Sequence, residues 1–222
     1  MLRLVTATTA AIALLIASVG DMTADNWGAG AIQGSSHRCT EYPDYESECT
    51  ANNLTHIVYI SSSVPPPLDA ALENSLEGDY DDPLSEVVAS VTSDPGASAD
   101  VSIYYALLPS SWPSAFTTCS TSATYGAQGY NRWCRPQWLY YDSAEYYDCW
   151  SVWPCRGWLS CHELGHTFGL QHANSQNHPN PSNTCMSYSG AVVLRQHDRN
   201  HLINCYPHPS GSARPPDCVE ND

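Results

Sequence analysis

Residues 162–172 read His-Glu-Leu-Gly-His-Thr-Phe-Gly-Leu-Gln-His, and this stretch decides which architecture the chain can adopt. His162 and His166 are four residues apart, so on a helix their side chains project from one face, one turn apart. Two imidazoles arranged in this way can bind one zinc ion. Gly169 ends the helix, because glycine adopts backbone conformations that other residues resist. The chain can then turn back and bring His172 to the same ion as a third ligand.

Glu163 lies beside the first of these histidines and completes a pattern that is typical of hydrolytic zinc sites. Three protein ligands leave the fourth position of a tetrahedral zinc ion for water, which distinguishes a catalytic site from a structural one. Glu163 can reach that water without being a ligand, and so can act as a general base. The sequence therefore predicts one Zn²⁺ ion on His162, His166 and His172, with Glu163 as a catalytic residue.

A second segment, Cys185-Met186-Ser187-Tyr188, lies downstream, with Met186 fourteen residues beyond His172. Together the two segments resemble the metzincin zinc metallopeptidases, and in particular their secreted, matrixin-like or astacin-like bacterial members. The resemblance implies that Met186 packs beneath the metal and is not a ligand. Tyr188 matches a tyrosine of astacins and serralysins, which implies a second catalytic residue that ligates zinc at rest and then stabilises the oxyanion. The alternative for Tyr188 is a purely packing role.

The resemblance covers residues 99–206 and implies a fold. Residues 99–103 resemble the strand that precedes the zinc helix. Residues 195–206 resemble the C-terminal helix, in which His197 and Asp198 are structural rather than catalytic. The implied fold class is α/β: a metzincin-like catalytic domain with a twisted mixed sheet, a zinc helix and a small C-terminal subdomain that carries the methionine turn.

The same resemblance implies one disulfide and leaves the subfamily open. Cys161 precedes the first zinc ligand and Cys185 precedes the turn methionine. Because the implied fold packs these two elements together, it implies a disulfide between them. Ala173, just after the third ligand, is not the residue that labels the best-known subfamilies.

The first residues are predicted to be a targeting segment. Arg3 supplies a positive start, residues 4–19 are apolar and uncharged, and small residues lead up to Gly20. This is the pattern of a signal peptide over residues 1–20, with a membrane anchor as the alternative. We then expect an extension at 21–54 and a catalytic domain at 55–222, divided into subdomains 55–172 and 173–222, in a protein that is secreted and extracellular.

Ten cysteines behind a signal peptide indicate a disulfide framework. Four of them, Cys119, Cys134, Cys149 and Cys155, are predicted to staple the region 110–157. A bridge between Cys39 and Cys49 is favoured over a propeptide thiolate that caps the zinc.

The net charge of −15 excludes some partners. A strongly acidic surface repels phosphate backbones and anionic membranes, so we expect neither nucleic acid nor, after removal of the signal peptide, a membrane as partner. A protein or peptide substrate and a monomeric state are expected. The acidic run Asp79, Asp81 and Asp82 can bind calcium, but a solvated turn is the favoured interpretation and Ca²⁺ is not predicted.

Hydrophobic periodicity and breaker residues predict the remaining elements. Region 110–157 is predicted to be irregular, with one strand candidate. The predicted strands are 56–60, 101–108 and 137–141, and the predicted helices are 68–76, 84–91, 159–169 and 192–204.

These patterns favour a secreted zinc endopeptidase, and two alternatives remain open. One is another zinc amidohydrolase that uses the same water. The other is a secreted, non-catalytic binding module stabilised by zinc and disulfides. Glu163 argues against the second, as does the predicted set of only three protein ligands, because a structural site more often has four.

Overall fold

The computed structural model describes ten parts of the chain, and the statements below concern those parts. The predicted signal segment 1–20, the extension 21–54 apart from Thr50, and the Cys39–Cys49 bridge lie outside them. No helix among the described residues is both long enough and apolar enough to cross a bilayer. The described residues are 50, 55–81, 87–95, 99–110, 113–128, 131–145, 149, 154–173, 180–188 and 191–206.

Five strands form one mixed sheet in the order β2-β1-β3-β5-β4. Neighbouring strands are parallel except for β4 and β5, which form an antiparallel hairpin. The antiparallel strand β4 therefore lies at one edge of the sheet. The strands are β1 (Thr55–Ile60), β2 (Val88–Thr92), β3 (Val101–Ala106), β4 (Ala115–Gln128) and β5 (Asn131–Asp142).

Three α-helices accompany the sheet: α1 (Pro66–Ser75), α2 (Cys155–Thr167) and α3 (Gln196–Asn204). Helix α1 begins within a run of prolines, whose fixed φ and missing N–H suit the first helical turn. It continues as a π-helical segment, Leu76–Tyr80. Short 3-10 turns lie at Ser143–Glu145 and Pro181–Asn183.

The main core is formed by apolar residues of the sheet together with α1 and α2. Burial of each such side chain contributes about 1.5–3 kcal/mol, so these contacts fix α2 against the sheet. Members of this cluster from the strands are Val58, Ile103, Leu139 and Tyr141, and members from the helices and the residue after α2 are Leu68, Leu72, Leu164 and Phe168.

The structure confirms the predicted α/β fold class and its stapling by disulfides. Bridges join Cys119 to Cys134 within the β4–β5 hairpin, and Cys149 to the first residue of α2, Cys155. Cys205 is disulfide-bonded as well. The predicted bridge between Cys161 and Cys185 is present in the structure.

The prediction of an irregular region at 110–157 is wrong. Strands β4 and β5 occupy most of it, and only the part of β5 at 137–141 was predicted. The Ser/Thr-rich sequence of β4 resembles a loop, but its threonines are β-branched and suit an extended strand once a partner strand is available. Pairing with β5 supplies that partner, which a local pattern cannot reveal.

The prediction of a helix at 84–91 is also wrong where the structure describes it. Val88–Thr92 is strand β2, parallel to β1. The apolar residues Leu84, Val87, Val88 and Val91 have helical spacing, but strand pairing along β1 overrides that pattern. Val88 and Val91 are exposed on this strand rather than packed on a helix face.

The boundaries of the other three predicted helices move. Helix α1 begins at Pro66 rather than at 68 and ends at Ser75 rather than at 76. Helix α2 begins at Cys155 rather than at 159, and α3 begins at Gln196 rather than at 192. The start of α3 is set by Asp198, whose carboxylate accepts the backbone N–H of Arg195 in a capping box.

The expectation of a solvated turn is wrong at Asp79. Its carboxylate is buried, accepts the backbone N–H of Leu194 at 3.2 Å and lies 3.6 Å from the guanidinium of Arg199. Burial raises the pKa of Asp79 to about 6. Asp79 thus links the end of the π-helical segment to the C-terminal part of the chain.

The turn around Met186 is held by α3 and packs against α2. The hydroxyl of Thr184 donates to the buried carboxylate of Asp198, and the N–H of Cys185 donates to the carbonyl of Val193. Asp198 therefore has the structural role that the resemblance implies. Met186 is fully buried.

Gly165 permits the close approach of this turn to α2. A Cβ atom at this position would lie 2.8 Å from Met186 Cε, closer still to its Sδ, and 2.9 Å from the Tyr80 hydroxyl. Those atoms have little room to move, because Met186 is buried and the Tyr80 hydroxyl donates to the carbonyl of Cys161.

We expect Gly165→Ala to destabilise the fold by about 1–3 kcal/mol, because the added methyl overpacks the contact between α2 and the turn. Denaturant unfolding measures the effect. The matched control is Gly78→Ala, where a Cβ would meet no atom within 4 Å. Equal stability of the two variants would contradict the proposed contact.

Candidate metal centre and cleft

Helix α2 presents His162 and His166 on one face, and the chain that follows returns His172 to them. The three ring centroids are 4.8–4.9 Å apart in every pair. The Nε2 atoms of His162 and His172 are 3.0 Å apart, and one nitrogen from each of the three rings lies within 4.8 Å of the others. The structure thus brings together all three predicted metal ligands.

The turn after α2 explains how the third histidine reaches the other two. Gly169 has a φ of 91°, in the left-handed region that favours glycine. The N–H of Leu170 then donates to the carbonyl of Gly165, which closes the helix end. Ala173, directly after His172, donates its N–H to the carbonyl of Met186 at 2.8 Å and thereby ties this segment to the methionine turn.

Hydrogen bonds determine the tautomer of the first two rings. Nδ1 of His162 lies 2.7 Å from the carbonyl oxygen of Cys185, and Nδ1 of His166 lies 2.8 Å from that of Leu170. A carbonyl oxygen only accepts, so both Nδ1 atoms carry the hydrogen and donate it. Each neutral ring therefore keeps a lone pair on Nε2, directed toward the cluster.

Burial keeps these rings neutral. It lowers the pKa of His162 to about 4 and the pKa of His172 to about 3. Burial also lowers the pKa of His166 well below its usual range, helped by the neighbouring rings of His172 and His162. All three imidazoles are thus unprotonated at neutral pH, as metal coordination requires.

Glu163 is buried and lines a cleft beside the histidines. The cleft has a volume of about 390 Å³. One wall is formed by residues at the start of β4 and the preceding loop, and the other by the first turns of α2 and its disulfide. Besides Glu163, the lining residues are Pro113, Ser114, Ala115, Cys149, Cys155, Trp158, Leu159, His162, His172 and Tyr188.

Tyr188 lies at the mouth of this cleft and contacts the third histidine. Its hydroxyl is 3.0 Å from Nδ1 of His172, and the two rings have centroids 4.3 Å apart. The side chain is 74% exposed. Glu163 and Tyr188 therefore line one cleft together with His162 and His172 of the three-histidine cluster.

Sequence reasoning missed the residues that hold α2 from the sheet side. The hydroxyl of Thr117 on β4 donates to the carbonyl of Glu163, and the amide of Gln137 on β5 donates to the carbonyl of Thr167. Trp158 was also missed: its indole N–H donates to the carbonyl of Ser187 at 2.9 Å. These residues have no sequence signature, because their role depends on strands and turns that meet only in the folded protein.

The donor set fits a transition metal ion such as zinc. Imidazole nitrogen suits zinc, copper, iron and nickel, and tetrahedral zinc with bonds of about 2.0–2.1 Å places its ligand atoms about 3.4 Å apart. The separation of 3.0 Å between two of the Nε2 atoms is close to that requirement. Two lone pairs at this distance repel each other unless a cation, or a hydrogen carried by one of the two nitrogens, lies between them.

Comparisons with known proteins add little. No family model matches the chain, and no curated protein matches it. Among solved structures, it is similar to high choriolytic enzyme 1, a hatching-enzyme zinc protease of the medaka fish Oryzias latipes. The identity is 15%, the TM-score is 0.29, and the alignment covers 62% of this chain and only 55% of that enzyme. A likeness at this TM-score and identity supports no conclusion about activity.

We expect the purified protein to contain one zinc ion per chain. Replacing any one of the three histidines by alanine should abolish zinc binding, because it removes one of three donors; the variants are His162→Ala, His166→Ala and His172→Ala. Elemental analysis after gentle purification measures the metal content. The control is His197→Gln, a histidine of α3 outside the cluster, which should retain the metal. A metal-free wild type, or a ligand variant with full zinc content, would contradict the assignment.

Proposed function

We propose that the protein is a secreted zinc-dependent endopeptidase of the metzincin type. The observation that carries this proposal is the convergence of three imidazoles, two of which, His162 and His172, line one cleft together with the buried residue Glu163 and the start of an edge strand. His162, His166 and His172 would hold the ion. Zinc bound there would lower the pKa of water and polarise a peptide carbonyl.

Glu163 is the proposed general base. It accepts a proton from the attacking water and then passes that proton to the leaving amine. Its backbone is held by the hydrogen bond from Thr117, so the carboxylate has a defined position relative to its neighbour His162. Burial in the cleft reduces solvent screening, which strengthens its interaction with developing charge.

Tyr188 is the second proposed catalytic residue. Its position at the mouth of the cleft suits a phenol that donates a hydrogen bond to the oxyanion formed from the substrate carbonyl.

The edge strand β4 favours a polypeptide over a small amide as substrate. Its first residue, Ala115, lines the cleft, and β4 has a single neighbour in the sheet, β5. An extended peptide can add to such an edge through backbone hydrogen bonds and so place one peptide bond beside Glu163.

The cleft walls favour an apolar side chain of that peptide. Ala115, Trp158 and Leu159 are uncharged, and the Cys149–Cys155 disulfide extends the same surface. Glu163 is the only carboxylate or basic side chain among the described lining residues besides the histidines, so an anionic substrate side chain would lose its hydration there without gaining a cationic partner. The disulfides also agree with the proposed extracellular location, since such bonds persist in oxidising compartments.

We expect Glu163→Gln to keep the zinc ion but to lower kcat at least about 100-fold, because the amide cannot accept the proton that a general base must take. Peptide hydrolysis and metal content are measured on the same preparation. Chelator-treated wild type is the control, and it should lose both zinc and activity. Full activity of the variant would refute the role of Glu163.

We expect Ala115→Leu to shift cleavage toward peptides with smaller side chains next to the scissile bond, because the added carbons occupy part of the cleft. Cleavage-site profiling on a peptide library measures the shift. The control is Ala89→Leu on β2, at the far side of the sheet order, which should leave the profile unchanged. An unaltered profile in Ala115→Leu would contradict the proposed binding of a side chain in this cleft.

A further inference from the structure

The three metal-ligand candidates share one feature: each Nδ1 atom faces an oxygen. For His162 and His166 the oxygen is a backbone carbonyl, at 2.7 and 2.8 Å. For His172 it is the hydroxyl of Tyr188, at 3.0 Å. The Nδ1 atom of His172 thus contacts a side chain, whereas the Nδ1 atoms of His162 and His166 contact backbone carbonyls.

We propose that Tyr188 is the positioning residue of His172, accepting a hydrogen bond from its Nδ1–H when Nε2 binds the metal. This inference deepens the proposed function and rests on it. A neutral imidazole has one hydrogen, so coordination through Nε2 places that hydrogen on Nδ1. The Tyr188 oxygen then acts as an acceptor and holds the ring in its coordinating orientation.

This arrangement differs from direct coordination by tyrosine. The two nitrogens of an imidazole point to opposite sides of the ring. A hydroxyl bonded to Nδ1 of His172 therefore lies away from an ion bound to Nε2. The same hydroxyl can donate to an oxyanion beside that ion only after it leaves Nδ1, so the two proposed roles of Tyr188 belong to different stages of the reaction.

The methionine turn places Tyr188 for this task. The N–H of Ser187 donates to the carbonyl of Thr184, and the indole of Trp158 donates to the carbonyl of Ser187. These bonds fix the backbone immediately before Tyr188. Its ring then lies against that of His172, with an interplanar angle of 32°.

A partner of this kind affects metal affinity as well as turnover. Loss of an outer partner of a metal ligand commonly lowers affinity about 10–100-fold. Such a partner matters most for His172, because this residue lies beyond the end of α2 on an irregular segment, where no helix fixes the direction of its side chain. A residue acting only on the substrate would leave zinc affinity unchanged.

The test compares zinc affinity in wild type, Tyr188→Phe and Tyr105→Phe by competition with a chelator. Tyr105→Phe is the matched control, because it removes a tyrosine hydroxyl that donates to the carbonyl of Ser143, outside the cleft lining. We expect about a 10-fold loss of affinity in Tyr188→Phe and none in Tyr105→Phe.

A second measurement follows the ring N–H resonances of the zinc-loaded protein by NMR. We expect Tyr188→Phe to shift the Nδ1–H resonance of His172 and to speed its exchange with water, while those of His162 and His166 stay unchanged. Unchanged zinc affinity in Tyr188→Phe would overturn the proposal. Lower affinity with all three resonances unchanged would overturn it as well, because that result indicates direct coordination by Tyr188.

The outcomes also separate this inference from the proposed function. A wild type that binds no zinc or cleaves no peptide refutes the endopeptidase itself. If the wild type binds zinc and cleaves peptides while Tyr188→Phe has equal zinc affinity, only the positioning role of Tyr188 is refuted.

Discussion

The close contact between α2 and the methionine turn is the constraint on which the site depends. It exists because Gly165 has no side chain, so the buried Met186 can lie against the helix backbone. The Cys161–Cys185 disulfide joins the two elements covalently at the same place. The carbonyl of Cys185 in turn receives Nδ1–H of His162. One contact therefore sets both the packing of the helix and the orientation of His162, its first candidate metal ligand.

The C-terminal end of α2 is held by a second set of contacts. Phe168, directly after the helix, stacks between His56 of β1, at 3.9 Å, and Tyr80, at 4.4 Å between ring centroids. The hydroxyl of Thr167 donates to the carbonyl of Leu164, so toward Nε2 of His56 it acts as the acceptor. Nδ1 of His56 then accepts from the hydroxyl of Tyr206, and burial lowers the pKa of His56 to about 3. The C-terminal end of α2, after which the chain turns at Gly169, is thus held by the stacked rings around Phe168 and by the hydrogen bonds of the neutral His56.

Rigid support at both of these places suits the chemistry we propose. Side chains that share one ion, and a base that works beside it, need positions defined to a fraction of an ångström. Here the ligands and Glu163 come from α2 and from a short segment tied back to Met186. The proposed substrate side of the cleft is built differently, from the start of the edge strand β4, where a peptide would add without disturbing the three histidines.

Local sequence determined the parts of this protein that depend on short spacing. The helix at the motif, its end at Gly169 and the candidate roles of His162, His166, His172 and Glu163 follow from residues within one or two helical turns of each other. Family resemblance added the methionine turn and the bridge between Cys161 and Cys185. Tertiary structure decided the rest. The β4–β5 hairpin and strand β2 were mispredicted because pairing energy comes from strands distant in the chain. The contacts of Thr117, Gln137, Trp158 and Tyr188 were not predictable, because each joins groups separated by 16 to 46 residues. Only the folded chain brings such groups together. Sequence patterns report regular local spacing, and these hydrogen bonds join residues at separations that follow no regular spacing.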